Sequence, residues 1–532
     1  MTDPDTDPNL IQTDYEIGQD NIVTKIGPFG LDIHNPVFLI SGLTIFAFVI
    51  GTLLFKDLAA DTFPAMRDWL TARFDWVFLT AGNIFVIFCV VLIFTPFGAI
   101  RLGGPDAEPD YSYSGWFAML FAAGMGIGLM FYGVSEPISH YSASVAAEAG
   151  SPESWAPLGG APGDQATAAA LGMASTIFHW GLHPWAMYAV VALALALFSY
   201  NKGLPLTIRS CFYPLLGERV WGWWGHVIDI LAVFATLFGL ATSLGFGAEQ
   251  ATAGLEAVFG LPASETVKIV LILCITGVAT MSVLAGLDSG VKRISEINMV
   301  LAALLLLFVL FVGPTGEIIS GFFSSLMAYL GYLPELANPF GREDDNFRHG
   351  WTAFYWAWWI SWSPFVGMFI ARVSRGRTVR EFIVCVLLIP SLVCVLWMTV
   401  FGGTAIHQMI DDGVTSVADA ALELKLFRML ELLPLASITS FIGIVLVIVF
   451  FVTSSDSGSL VIDTVTAGGK TEGPVPQRVF WCVFEGLVAI ALLVGGGLGA
   501  LQAMAVSTGF PFTFVLLAMC WCIYKGLRTE AR

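Results

Sequence analysis

The sequence predicts an all-α, polytopic membrane protein, and two observations lead to this fold class. Of the 532 residues, 56% are hydrophobic and only 12% are charged, whereas a soluble domain carries about 25% charged residues. Apolar runs of about 20 residues recur along the chain, and each is long enough to cross a bilayer as a helix. We therefore expect twelve transmembrane helices in contact with membrane lipids. The net charge of −17 argues against a nucleic-acid partner.

An N-terminal tail precedes the predicted helices. Residues 1–34 are polar and acidic, so we expect a disordered tail. Its start lacks a basic segment followed by an apolar one, so we expect no cleaved signal peptide. An amphipathic segment at 315–333, interrupted by Gly and Pro, is predicted to lie along the membrane surface. The predicted spans are 36–55, 76–99, 115–141, 166–198, 222–248, 265–286, 291–313, 351–374, 381–405, 435–462, 477–498 and 501–525.

The distribution of basic residues predicts the orientation. With a cytoplasmic N-terminus, 16 of the 24 Lys and Arg residues fall in segments on the inner side. That excess is the expected positive-inside bias. We therefore expect a multi-pass protein of the cell inner (cytoplasmic) membrane with both termini in the cytoplasm.

The most distinctive stretch is WTAFYWAWWISWSPFVGMF at residues 351–369, which holds five of the 17 tryptophans. On a helix at about 100° per residue, its aromatic side chains form one continuous stripe. Aromatic faces attract cations, above all a quaternary ammonium group that no hydrogen bond can hold. An aromatic belt at the membrane interface, or plain aromatic packing, is the alternative. The residue pattern leaves both interpretations open.

Three glycines at alternate positions mark the third span. Gly124, Gly126 and Gly128 lie in AAGMGIGLMFYGVSEP, and glycine destabilises a helix interior. The pattern favours an unwound segment whose free amides bind an anion and whose free carbonyls bind a cation. Gly124 and Gly128 also have the spacing of close helix packing, which is the alternative.

The fourth span adds further aromatic residues in FHWGLHPWAMY at 178–188. Trp180, Trp185 and Tyr188 are candidates for the same cation site, and Pro184 predicts a kink. His179 and the histidine four residues later have a metal-ligand spacing, but packing or hydrogen bonding is favoured because no HExxH motif is present.

The tenth span places hydroxyl groups inside an apolar run. Thr453, Ser454 and Ser455 offer hard oxygen ligands that suit Na⁺, although such hydroxyls often bond back to their own helix. Asp456 and Glu136 are carboxylates within predicted spans, and each needs a partner. They are candidates for ion or proton relays or for structural caps.

The spans also suggest a topological repeat. The glycine-containing span and the aromatic span each begin a set of five predicted helices. Two sets of five would be inverted relative to each other, which is a common plan for transporters.

These stretches resemble the betaine–choline–carnitine transporter (BCCT) family, and 351–382 is close to its signature. The resemblance covers residues 36–525 and implies a leucine-transporter-type fold with two inverted five-helix repeats. The implied organisation is an acidic cytoplasmic tail at 1–34, two accessory transmembrane helices at 35–114, the first repeat at 115–313, an amphipathic surface helix and outer loop at 314–350, the second repeat at 351–525 and a short cytoplasmic tail at 526–532.

The resemblance also implies the ligands. The substrate-binding residues it indicates are Trp180, Trp185, Tyr188, Trp358, Trp359, Trp362, Met125, Gly126, Gly128 and, on the cytoplasmic path, Phe369. It implies one sodium ion bound by Ala122, Met125, Phe450, Thr453 and Ser454. It implies a second near Thr236 and Phe365, although Leu240 stands where sodium-coupled members carry a second hydroxyl. No cofactor is expected, and family members form homotrimers.

The implied function is import of a zwitterionic onium compound, such as glycine betaine or dimethylsulfoniopropionate, by sodium symport with alternating access. Choline carriers of the family tend to have Asp where Gly128 stands, so Gly128 points to a zwitterion. A sodium-independent carnitine or betaine exchanger, or a choline carrier, is the alternative on the same fold. A sensor or channel is less favoured because no soluble domain is evident, and no catalytic constellation indicates an enzyme.

Overall fold

The computed structural model describes residues 10–27, 29–124, 126–147, 155–285 and 288–530. It is about 80% helical, as the hydropathy of the sequence predicts. The strands and the helices of ten residues or more are β1 Asn21–Ile26, β2 Phe29–His34, α1 Val37–Leu54, α2 Lys56–Phe94, α3 Tyr113–Gly124, α4 Ile127–Val145, α5 Gln165–Trp180, α6 Leu182–Ala196, α7 Trp223–Phe259, α8 Glu265–Ala285, α9 Asp288–Val312, α10 Thr315–Leu336, α11 Ala353–Val373, α12 Val379–Ile410, α13 Ala436–Thr466, α14 Val475–Val494 and α15 Gly497–Arg528.

Ten helical segments in the described part of the chain are long and apolar enough to cross a membrane. This confirms a polytopic all-α membrane protein. The predicted spans 115–141 and 351–374 are not among the ten. The first is divided into α3 and α4, and α11 is rich in Trp, Tyr and Ser, which lower its mean hydropathy. The number of twelve spans therefore stays a prediction.

Two of the predicted spans are interrupted. Gly126, between α3 and α4, has an extended backbone with φ −171° and ψ −172°, which ends the helical hydrogen bonding. Gly181, between α5 and α6, has φ −95° and ψ −128°. The predicted kink at Pro184 therefore lies three residues earlier, because the first turn of a new helix tolerates a proline. Both interruptions leave backbone groups without helical partners.

Helix α11 occupies the core and packs against α6, α7 and α15. Glycines allow these close approaches, because a Cβ atom at Gly367 of α11 would lie 2.6 Å from Val191 of α6. A Cβ atom at Gly509 of α15 would likewise lie 2.6 Å from the carbonyl oxygen of Ala357. The aromatic helix is therefore held tightly by its neighbours and is not exposed as an interfacial belt.

The tail differs from the prediction of disorder over residues 1–34. Strands β1 and β2 pair antiparallel, with Asn21 opposite His34. Asp32 ties this hairpin to the α13–α14 loop, since its Oδ2 lies 2.5 Å from Nζ of Lys470. The sequence signal of this hairpin is a run of β-branched residues before a Gly-Pro pair, but the acidic residues ahead of it dominate the composition of the tail. Residues 1–9 lie outside the described part of the chain.

The amphipathic segment forms the continuous helix α10, so the predicted breaks at glycine and proline are wrong. Pro334 falls in its last turn. One face buries Ile318 and Tyr329, while Phe323 and Met327 are exposed on the other. That division is typical of a helix between protein and lipid.

Candidate functional site

A narrow cavity lies between Gly126, at the first helix interruption, and Trp180 and Pro184, on either side of the second. We call it the aromatic cavity. Its walls come from α4, α5, α6, α7, α11 and α12, and its lining residues are Gly126, Gly128, Leu129, Trp180, Pro184, Trp185, Tyr188, Ser243, Trp358, Trp359, Trp362 and Cys394. Eight of the ten predicted substrate residues are thus brought together. Met125 lies outside the described residues, and Phe369 lines a neighbouring cavity.

The rings of this cavity contact one another closely. Trp358 and Trp359 stack with centroids 4.7 Å apart and planes at 17°. Trp180 meets Trp359 edge to face at 4.8 Å, and Tyr188 lies 6.2 Å from Trp359. Several negative ring faces therefore converge on a small volume, which is the arrangement that attracts an onium cation.

Hydrogen bonds fix three of the tryptophans. The Nε1 atoms of Trp180, Trp359 and Trp362 donate to Glu136 Oε2 at 2.7 Å, to the carbonyl oxygen of His179 at 2.9 Å and to that of Gly239 at 2.8 Å. Nε1 of Trp358 is buried and has no partner among the described residues.

Gly128 sets the width of the aromatic cavity. A Cβ atom there would lie 2.8 Å from Cη2 of Trp180 and 3.0 Å from Cη2 of Trp358. Any side chain at this position has to displace both rings. The sequence pattern indicated backbone unwinding, whereas the structure adds a steric reason for glycine.

A larger cavity adjoins the aromatic cavity, and Trp362 lines both. We call it the inner cavity, because Phe369 and Arg478 line it at the end that the basic residues predict to be cytoplasmic. Asp456, also in its wall, has its Oδ1 atom 3.2 Å from Arg478. The partner that this intramembrane carboxylate needs is thus an arginine on α14.

Four of the five residues predicted for the first sodium ion share the wall of the inner cavity, and the fifth, Met125, lies outside the described residues. Ala122, Phe450, Thr453 and Ser454 all line this cavity. Oγ1 of Thr453 donates to the carbonyl oxygens of Val449 and Phe450, at 3.1 and 3.2 Å. The alternative that such hydroxyls bond to their own helix therefore holds for Thr453.

The residues predicted for a second sodium ion lie beside the crossing of α7 and α11. The crossing is at Gly239, where a Cβ atom would lie 2.8 Å from Trp362. Thr236 lies one turn from it on α7, and its hydroxyl donates to the carbonyl of Ala232 at 2.7 Å. Phe365 lines the inner cavity on α11.

Leu240 follows Gly239 and turns away from this crossing toward α13. A Cβ atom at Gly458 would lie 2.3 Å from Cδ1 of Leu240. The position at which the resemblance leads us to expect a hydroxyl is therefore filled here by an apolar packing contact.

A buried polar cluster surrounds Glu136 beside Trp180. Its Oε1 lies 3.1 Å from Nε2 of His140 and 2.6 Å from Nδ1 of His179, and its Oε2 accepts from the hydroxyl of Tyr355 at 2.5 Å. Sequence reasoning identified Glu136 as needing a partner but missed these partners. The signal was present, because Glu136 and His140 share one face of α4.

The histidine pair of the fourth span does not converge on a common point. His179 bonds to Glu136 and, through Nε2, to the hydroxyl of Thr352 at 2.9 Å. Nε2 of His183 instead lies 3.0 Å from Oδ1 of Asn83. Hydrogen bonding therefore accounts for this pair, as the sequence favours.

Comparison with known proteins agrees with the geometry. The model of BCCT, the betaine/carnitine/choline family transporter, matches residues 36–532. A glycine betaine/proline/choline transporter of Vibrio parahaemolyticus is 65% identical, with 99% of this chain and 96% of the relative covered. Glycine betaine transporter 1 of the same organism is 54% identical, covering 98% of each. The glycine betaine transporter OpuD of Bacillus subtilis is 42% identical, covering 91% of this chain and 93% of the relative. This chain belongs to the betaine/carnitine/choline family of transporters, and it is not an enzyme.

Proposed function

We propose that the protein is a secondary active transporter that imports a zwitterionic onium compound of the glycine betaine or dimethylsulfoniopropionate type by sodium symport. The aromatic cavity carries this proposal, because its ring faces suit a trimethylammonium or dimethylsulfonium group. The relatives named for glycine betaine support the substrate class. A choline carrier is the second candidate, because the relative that is 65% identical is also named for choline.

The anionic end of the substrate lies toward the start of α4 in this proposal. Backbone amides at Gly126 and after it begin a helix, and a helix N-terminus favours a carboxylate. Residues that suit the two ends of a zwitterion thus border one cavity.

Alternating access is the proposed transport cycle, on the inverted five-helix repeats and twelve spans that the family resemblance implies. The aromatic cavity adjoins the inner cavity at Trp362, which offers a route toward the cytoplasm past Phe369. Sodium at Thr453 and Ser454 would stabilise the loaded state, since coupling requires that ion and substrate favour the same state. Assembly as a homotrimer in the inner membrane, with both termini cytoplasmic, completes the proposal.

Uptake of radiolabelled glycine betaine into proteoliposomes, with and without an inward sodium gradient, tests the function. We expect sodium-dependent uptake in the native protein and at least a tenfold loss in Ser454→Ala. Ser391→Ala is the matched control, because that hydroxyl on α12 bonds to the carbonyl of Leu387 on its own helix at 2.5 Å. Betaine uptake that needs no sodium and survives Ser454→Ala would refute symport. Absence of any onium uptake would refute the substrate class.

A further inference from the structure

We propose that Glu136 is the counter-charge for the cationic group of the substrate and acts on it across the Trp180 indole. It is thus a positioning and specificity-determining residue. This inference rests on the proposed function and names the element that recognises the positive end. Neither the aromatic stretches nor the glycine pattern assigns that role, since an aromatic face attracts a cation but carries no net charge.

The hydrogen bonds of Glu136 fit the ionised carboxylate. Trp180 Nε1 can only donate, and it reaches Oε2 at 2.7 Å beside the Tyr355 hydroxyl at 2.5 Å. His140 and His179 lie within 3.1 Å of Oε1, and His179 can accept from Thr352 on its other nitrogen, so a neutral imidazole suffices. Four donors therefore surround the carboxylate, which leaves no oxygen in need of a proton.

Among the described residues, no lysine or arginine forms an ion pair with the Glu136 carboxylate. Glu136 is fully buried, and the only ion-pair partners it has among the described residues are the two histidines. A buried acid within a membrane span is costly unless it has a function or a counter-ion. The cationic group of a substrate in the aromatic cavity is a counter-ion that arrives with the ligand.

The position of Glu136 along α4 sets the direction of the electric field in the aromatic cavity. Ten residues separate it from Gly126, which is about 15 Å along a helix axis. Trp180 lies between them, because its Nε1 meets Glu136 while its far ring edge meets Gly128. One helix thus presents its positive N-terminal end and a carboxylate on either side of the aromatic cavity. A zwitterion aligned with this field interacts favourably at both ends.

Choline and glycine betaine should interact differently with the charge of Glu136, and this difference provides the test. Choline has one positive charge, whereas the carboxylate of glycine betaine partly cancels the attraction. With separations on the order of 7 Å to the cation and 12 Å to the ligand carboxylate, and an effective dielectric constant of about 20, loss of the charge weakens choline about fiftyfold and betaine about fivefold. A purely structural effect on the rings would weaken both ligands equally.

The experiment measures dissociation constants of choline and glycine betaine by tryptophan fluorescence on the full-length protein, native and Glu136→Gln. We expect the choline-to-betaine affinity ratio to fall about tenfold in Glu136→Gln. Tyr355→Phe removes one hydrogen bond to Oε2 of Glu136 and keeps the charge of the carboxylate. The choline-to-betaine affinity ratio of this variant therefore stays native. Equal losses for both ligands in Glu136→Gln, or no choline binding by the native protein, would overturn the proposal.

A second variant covers the case in which Glu136→Gln does not fold. Glu136→Asp keeps the charge and moves it away by one methylene, so we expect a ratio within about threefold of native. A fall as large as that expected for Glu136→Gln would contradict a charge effect. If native betaine uptake itself fails, the proposed function is wrong. A native ratio in Glu136→Gln with intact uptake refutes only the role of Glu136.

Discussion

Adding one methyl group at Gly128 should narrow the aromatic cavity and weaken substrate binding. The Cβ atom of Gly128→Ala would lie 2.8 Å from Trp180 and 3.0 Å from Trp358, both nearer than ordinary contact. The residue lies in the first turn of α4, so alanine itself favours the helix by less than the ~1 kcal/mol that it gains in a helix interior. Overpacking a well-filled site costs about 1–3 kcal/mol, and each displaced ring forfeits about 1 kcal/mol or more of cation–π attraction.

We take about 2 kcal/mol as the net effect on the bound state, which corresponds to roughly thirtyfold weaker binding. Titration of glycine betaine, followed by tryptophan fluorescence on purified protein, measures it. The matched control is Gly277→Ala on α8, where an added Cβ meets nothing within 4 Å. Native affinity in Gly128→Ala would show that the two rings do not form the binding surface in this geometry, and the steric reasoning would fail.

Three further predictions follow from single contacts. Trp359→Leu removes a ring that stacks on Trp358 at 4.7 Å, so betaine affinity should fall about tenfold or more in the same titration; unchanged affinity would remove Trp359 from the site. Gly402→Ala places a Cβ atom 2.4 Å from Pro137, where α12 crosses α4, and should lower the Tm in detergent. Gly403→Ala is the control, because its Cβ atom meets only Thr399 of the same helix, at 3.8 Å, and its Tm should stay native. Asp164→Ala removes the N-cap of α5, which accepts from the Thr167 amide at 3.1 Å, and should lower the midpoint of thermal unfolding, with Asp164→Asn nearly native.

The membrane helices and the members of the aromatic cavity could be predicted from local features of the sequence. An apolar run of the right length specifies a span whatever it packs against. The helix break at Gly126 could also be predicted locally, because neighbouring residues decide whether a helix continues there. Trp180 and Trp358 belong to two stretches that are each unusual in composition, so both were identified before their contact was known.

The cluster around Glu136 depends on pairings that no local pattern specifies. Its partners Trp180 and Tyr355 lie 44 and 219 residues further along the chain. The sequence indicates that a buried acid needs donors, but which donors reach it depends on how α4, α5 and α11 pack. The hairpin at 21–34 was missed for a different reason, because the acidic residues before it dominated the composition of the tail.

The hydroxyl run on α13 bears on how sodium would act. The carbonyl of Phe450 accepts from Oγ1 of Thr453 at 3.2 Å and also lies within the hydrogen-bond ladder of α13. Thr453 has one hydroxyl hydrogen, which it shares between the carbonyl oxygens of Val449 and Phe450, and its oxygen keeps lone pairs for a cation. Turning that hydrogen toward Val449 alone would leave a lone pair of the Phe450 carbonyl free for the sodium ion of the proposed function. Sodium would then favour that hydroxyl orientation, and a coupling ion shifts a transporter between its states only through such differential affinity.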